Sequence, residues 1–82
     1  MKIRVKFFAS HREAVGKAEE ELQIEANSKV KDAMDRLVSR HPKLGGLMRK
    51  NSIYSLNRSI VDEDAKLSDG DVLAIFPPVG GG

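Results

Sequence analysis

The chain has no cysteine, and that absence removes disulfides, thiolate metal sites and a cysteine nucleophile of its own. It fits a cytosolic address, and the cytoplasm is the expected location. Histidine is scarce: His11 and His41 are the only two, and no carboxylates cluster around them in sequence, so no metal site is expected. An excess of one charge is also lacking. Against 12 acidic residues stand 14 basic ones, and a net charge of +2 does not mark a nucleic-acid binder. No apolar stretch approaches the roughly 20 residues that a membrane span needs. The opening residues, Met1-Lys2-Ile3-Arg4-Val5-Lys6, alternate in character and contain no apolar signal-peptide core. Nucleic acid and membrane are therefore not expected partners. At 82 residues there is room for one small domain, which buries only about 60% of its unfolded surface.

What is present is periodicity. Ile3, Val5 and Phe7 alternate with Lys2, Arg4 and Lys6, which predicts a half-buried strand over Lys2 to Phe7. Phe8 breaks the alternation and belongs by parity with the lysines. It is either a strand-end residue covered by a loop or an exposed contact residue. Ala9 to Lys17 reads as a connection with one helical turn at His11 to Val15, stopped by Gly16, and His11 is expected in solvent. Glu19 to Glu25 is expected as a second strand, hairpinned to the first, its glutamates suited to a sheet edge. Ser28 is a candidate N-cap. After it, Val30, Ala33, Met34, Leu37 and Val38 follow helical spacing and predict a core-facing helix that ends near Arg40 or His41, ahead of Pro42. Asp32 and Arg36 are spaced to pair on its outer side. Lys29 and Lys31 sit where the helix dipole disfavours cations, so this helix needs tertiary support.

Lys43 to Asn51 is a loop or a short helix. Its Gly45-Gly46 pair is not a phosphate loop, because no Lys-Ser/Thr follows and no strand leads in. Arg49-Lys50 reads as a solvated basic patch. Ser52 to Leu56 and Ser59 to Val61 are expected as short strands about an Asn57-Arg58 turn. Asp62-Glu63-Asp64 reads as a solvated loop, Leu67 as an anchor, and Ser68-Asp69-Gly70-Asp71 as a turn into a last strand, Val72 to Phe76. That strand is apolar throughout, which predicts cover on both faces.

The order β-β-α-β-β-β with one main helix predicts an α+β domain over residues 1–77. In it, one mixed sheet packs on one helix, with the first and last strands parallel at its centre. This is a β-grasp, ubiquitin-like layout, although the same pattern admits other α+β arrangements. Residues 78–82 are expected to form a separate, flexible glycine tail. Pro77 and Pro78 cannot donate backbone hydrogen bonds and end the strand. Val79 and three glycines, Gly80, Gly81 and Gly82, follow. Fully extended, Pro78 to Gly82 spans about 17 Å. A stiff base and a thin tip suit an arm that enters another protein's narrow site. The plainer alternative is a frayed terminus.

The sequence resembles the MoaD family, the small subunit of molybdopterin synthase, over nearly its whole length. The residues that carry the resemblance are Phe7-Phe8-Ala9 with Arg12-Glu13, Leu56-Asn57, Asp69-Gly70-Asp71, Phe76-Pro77-Pro78-Val79 and the final Gly81-Gly82. Gly80 and Ile75 depart from the residues frequent in the family at those places. The resemblance implies a sulfur carrier in molybdenum cofactor biosynthesis that is not an enzyme alone and binds no cofactor of its own. A MoeB-type (E1-like) activating enzyme would use ATP to adenylate Gly82. A sulfur donor would displace AMP to leave a thiocarboxylate. That sulfur would attack cyclic pyranopterin monophosphate inside a MoaE-like large subunit, in a heterotetramer. Gly82 then carries the reacting atom, and Gly80 and Gly81 let the backbone pass. Partners would dock on Phe8, Ile60 and Phe76, together with Pro77, Pro78 and Val79 at the root of the tail. Three rivals share these features: a ThiS-like carrier for thiamine synthesis, a ubiquitin-like modifier joined to lysines through Gly82, and a plain binding module.

Overall fold

The computed structural model describes residues 1–48 and 52–77. Five strands form one sheet: β1 (Lys2–Phe7), β2 (Glu19–Gln23), β3 (Ile53–Leu56), β4 (Ser59–Val61) and β5 (Val72–Phe76). Their spatial order is β2-β1-β5-β3-β4. β1 and β5 are parallel neighbours at the centre, and the other pairs are antiparallel. The principal helix, α2 (Val30–Arg40), lies across one face, which is the expected β-grasp arrangement. A shorter helix, α1 (Ala9–Val15), occupies the β1–β2 connection, where a single helical turn was expected. A 3-10 turn (Pro42–Leu44) and a one-turn helix, α3 (Gly45–Met48), follow α2.

Alternation places Ile3, Val5 and Phe7 of β1, Leu22 of β2 and Leu73 and Ile75 of β5 under α2, where all six are buried. From α2, Val30, Ala33, Met34 and Leu37 fill the other side of the core, and Val38 is half-buried beside them. Leu67 is also buried, as its reading as an anchor requires.

The start of α2 differs from expectation. The helix is capped at Lys29, not Ser28, whose hydroxyl instead donates to the Glu25 carbonyl at 2.7 Å. The physical reason is the β4–β5 connection. Its carbonyls at Ala65 and Glu63 accept the Val30 and Lys31 N–H groups, each at 2.9 Å, and the Asp32 carboxylate accepts the Lys29 N–H at 2.8 Å. The first orphan donors of the helix are thus satisfied without a serine oxygen. With Asp32 so engaged, Arg36 pairs with both oxygens of Glu25 at 3.1 Å instead. Asp62, Glu63 and Asp64 are exposed, as expected of a solvated loop, and no metal-binding cluster occurs among the described residues.

Two glycines close turns that an ordinary residue would strain. Gly16 (φ +88°) ends α1, with its N–H on the Arg12 carbonyl at 2.8 Å. Gly70 (φ +85°) turns the chain into β5. There its N–H meets the Lys2 carbonyl at 2.8 Å, and the Asp69 carboxylate accepts the Lys2 N–H at 2.8 Å. The Asp69-Gly70-Asp71 motif therefore starts β5 beside β1. Arg49-Lys50 falls outside the described residues. Among the described residues no helix is long and apolar enough to cross a membrane.

Two polar groups are buried although their segments lie where expected, α1 in the β1–β2 connection and β2 at the sheet edge. His11, expected in solvent, is 1% exposed, because α1 turns His11, Ala14 and Val15 toward the domain. Its Nε2 lies 3.0 Å from the Ser52 hydroxyl, and its Nδ1 has no hydrogen-bond partner among the described residues. Burial pushes its pKa below the ordinary 6.5. Glu20, expected on an open edge, is 7% exposed, because its parity on β2 is that of the core. Burial pulls its carboxyl upward, but Arg40 and His41, each at 2.7 Å, and Lys17 at 3.4 Å outweigh this and hold it below the usual range. Both shifts favour the deprotonated form in the folded state. The unfolded chain therefore binds the extra protons, and stability falls as pH falls. The His11 contribution is complete above about pH 6.5 and is lost below it, and that of Glu20 is lost below about pH 4.5. Urea titrations across pH should show this loss. His11→Gln should flatten its upper part, and an unchanged profile in that variant would refute the assignment.

Candidate functional site

The sheet face turned away from α2 has no element of the chain over it among the described residues, although β5 brings apolar side chains to it. Register defines what this face presents. In one cross-sheet row lie Glu19, Lys6, Ala74, Ser55 and Ile60. In the next row toward the end of β5, Phe76 stands opposite Ile53. Phe8, just past β1, completes that row by stacking on Phe76, with ring centroids 4.5 Å apart and planes 14° from parallel. A pair of this geometry contributes about 0.5–1.5 kcal/mol beyond its burial.

The alternatives for Phe8 resolve in favour of an exposed contact residue. It is 39% exposed, and Ile60 is 72% exposed. These two are the large apolar residues exposed among those described. Cover on both faces of β5 is not found: Leu73 and Ile75 are buried, whereas Val72, Ala74 and Phe76 are only half-buried. An apolar patch next to the end of the central strand is what a docking surface requires. Phe8, Ile60 and Phe76 lie on this one face, and half-buried Pro77 continues from Phe76. Pro78, Val79, Gly80, Gly81 and Gly82 lie outside the described residues. Ile53 and Ala74 also belong to the patch and were not singled out from the sequence. Parity put Ala74 on the face of Phe76, but the pairing of Ile53 with Phe76 is set by the register of β3 on β5, which no local pattern fixes.

The Leu56-Asn57 motif positions this face. Asn57 and Arg58 form the two-residue β3–β4 turn with φ of +49° and +74°. The Asn57 side chain accepts the Val72 N–H at 2.9 Å and donates to the Asp71 carboxylate at 2.8 Å. Its backbone N–H reaches the Val72 carbonyl at 2.9 Å. One side chain thus clips the turn that carries Ile60 to the start of the strand that carries Phe76. Arg12 and Glu13 are exposed on α1, and Arg12 supplies the carbonyl that caps Gly16.

Among the described residues, the side chains of this face are apolar, small or solvated charged ones. His11 and Glu20 lie on the other side of the sheet, and their polar contacts are structural. What this face presents is an exposed apolar patch beside the end of β5.

Comparison with known proteins agrees with this architecture. The ThiS family model matches residues 5–82. The molybdopterin synthase sulfur carrier subunit of Chlamydomonas reinhardtii is 35% identical over 85 residues, covering the whole of both chains. That of Arabidopsis thaliana is 32% identical, covering all of this chain and 84% of its own. Among solved structures, small archaeal modifier protein 1 of Haloferax volcanii superposes with a TM-score of 0.86 at 28% identity, over the whole of both chains. With a family model spanning all but its first four residues and relatives above 30% identity along its full length, this chain belongs to the ThiS family and has its ubiquitin-like β-grasp fold.

Proposed function

We propose that this chain is the sulfur carrier of a molybdopterin synthase, with Gly82 as the loaded residue. The observation that carries the reading is the end-to-end match to a sulfur carrier subunit at 35% identity. The apolar face beside the end of β5 supports it. A terminal carboxyl has a pKa near 3.5, so at neutral pH it is an anion and a poor electrophile. An activating enzyme would join it to ATP as an acyl-adenylate, releasing pyrophosphate. A sulfur donor would then attack the acyl carbon and expel AMP, leaving a thiocarboxylate. The open face would dock first the activating enzyme and then the large subunit, with which the chain would form a heterotetramer. Pro77, Pro78 and Val79 would lead from that face to the partner's site, and Gly80 and Gly81 would pass where a Cβ would clash. There the sulfur would attack cyclic pyranopterin monophosphate. This chain would contribute position and cargo, and the acid–base groups would be the partners'.

The test is intact mass after incubation with the activating enzyme, ATP and a sulfide source. The expected result is a gain equal to replacement of one oxygen by sulfur at Gly82. No gain overturns the reading.

The likeness to a small archaeal modifier protein favours a second reading, in which the same activated Gly82 is joined to a lysine of another protein. Denaturing purification of the tagged chain from cells separates the two. Lysine-linked, high-mass conjugates that vanish without Gly82 would establish modification.

A further inference from the structure

We propose that the docking face reads charge as well as shape: Lys6 and Arg58 form a cationic rim that receives carboxylates of the partner protein. This rests on the docking reading above. Lys6, Arg58 and Phe76 border a depression that the small residues Ala74 and Ser55 also line. The depression lies in the same row as Ile60 and beside the Phe8–Phe76 stack. A partner that covers the patch must therefore cover this depression.

The charges on the face are unevenly spent. Toward β2, Arg4 is matched by Glu19 at 3.0 Å and Glu21 at 3.9 Å, and Lys2 by Glu21 at 3.9 Å. Glu19 stands opposite Lys6 across the strands, but its hydrogen bond goes to Arg4. The nearby Asp71 carboxylate is committed to Asn57 and to the Ser68 N–H. Among the described residues no ion pair engages Lys6 or Arg58. Two cations beside an apolar patch are costly to cover unless the covering surface brings opposite charge.

Backbone strain points the same way. Arg58 occupies, at φ +74°, the second position of a two-residue hairpin turn that favours glycine. Of the four non-glycine residues at positive φ among those described, three flank the patch: Ala9 follows Phe8, and Asn57 and Arg58 form the turn ahead of Ile60. Strain held at such a place is characteristic of functional sites. Glycine at position 58 would relieve this strain but would remove the guanidinium from the rim.

The experiment measures association with the purified large subunit of molybdopterin synthase from the same organism, as a function of salt. Arg58→Gly should raise the melting temperature, because it relieves the turn, yet slow association about tenfold or more at low ionic strength. Lys6→Gln should slow it likewise without unfolding the chain. Both differences should shrink as salt screens the rim. Lys43→Gln, on an exposed position away from this face, should change neither. Unchanged association rates and salt dependence in both rim variants, with Phe76→Ala still weakening the complex, would overturn the rim alone. Full affinity in Phe76→Ala, or no binding by the wild-type chain, would overturn the docking reading and the rim with it.

Discussion

Deleting Gly82 is expected to reduce sulfur transfer below detection while leaving the melting temperature of the domain unchanged. On the proposed mechanism one carbonyl carbon is adenylated, thiolated and then presented to the acceptor. Removal of Gly82 moves the terminal carboxylate back by one residue, about 3.5 Å along an extended chain. A displacement of only 1 Å at a reacting centre can cost about 100-fold in rate, so loss of a whole residue should abolish transfer. The described core is assembled from elements that end at Phe76. The deletion should therefore change stability by no more than about 0.5 kcal/mol. Gly81→Trp tests the same position sterically and should also block transfer, since a large side chain would have to enter the narrow partner site. Intact mass reports thiocarboxylate formation, and single-turnover assays with the large subunit report transfer. Retained transfer in either variant would refute the role of these residues.

The second large effect concerns docking. Phe76→Ala is expected to weaken binding to the large subunit by at least about 2 kcal/mol, roughly 30-fold, as truncation of a central aromatic anchor does. The cost to stability should be smaller, about 1 kcal/mol, because Phe76 is half-buried and its aromatic partner, Phe8, is 39% exposed. Phe8→Ala should behave alike. The double variant should lose less than the sum of the two, because each single change already breaks the stack. Phe7 provides the contrast. It is 1% exposed in the core, so Phe7→Ala should cost about 3–5 kcal/mol of stability and act on binding only through unfolding. Calorimetric titration alongside thermal melts distinguishes these cases. A larger loss of stability than of affinity in Phe76→Ala would show that the open face is merely unburied core.

Adjacent positions 7 and 8 show how far the sequence reaches. Alternation in β1 assigns Phe7 inward and Phe8 outward, and both assignments hold. Helical spacing likewise places Val30, Ala33, Met34 and Leu37 on one buried stripe. Glycine and aspartate at Ser68-Asp69-Gly70-Asp71 mark the turn into β5. These features are local, because a period or a turn is set by neighbours a few residues apart.

Local pattern does not state what lies over a face. Uniform apolar character in β5 predicted two covered faces, but α2 covers only one, and the other is the open face proposed for docking. The charges of β2 suggested a sheet edge, and β2 is an edge strand, but they did not show that Glu20 is buried against Arg40 and His41, which the chain brings back from the end of α2. His11 looked like a loop residue because its burial depends on where α1 comes to rest. The expected serine cap was displaced by carbonyls from the β4–β5 connection, distant in sequence.

By itself, the sequence determined the elements, the inward and outward parity of each strand and the nature of its last residues, because those depend on chain-local sterics and on apolar spacing. Only the tertiary structure decided that Phe8 stacks on Phe76, that Ile53 and Ile60 join them, and that Lys6 and Arg58 border the same depression. Each of those meetings requires β1, β5, β3 and β4 to lie side by side in one register, and that register is settled by long-range pairing over a shared core.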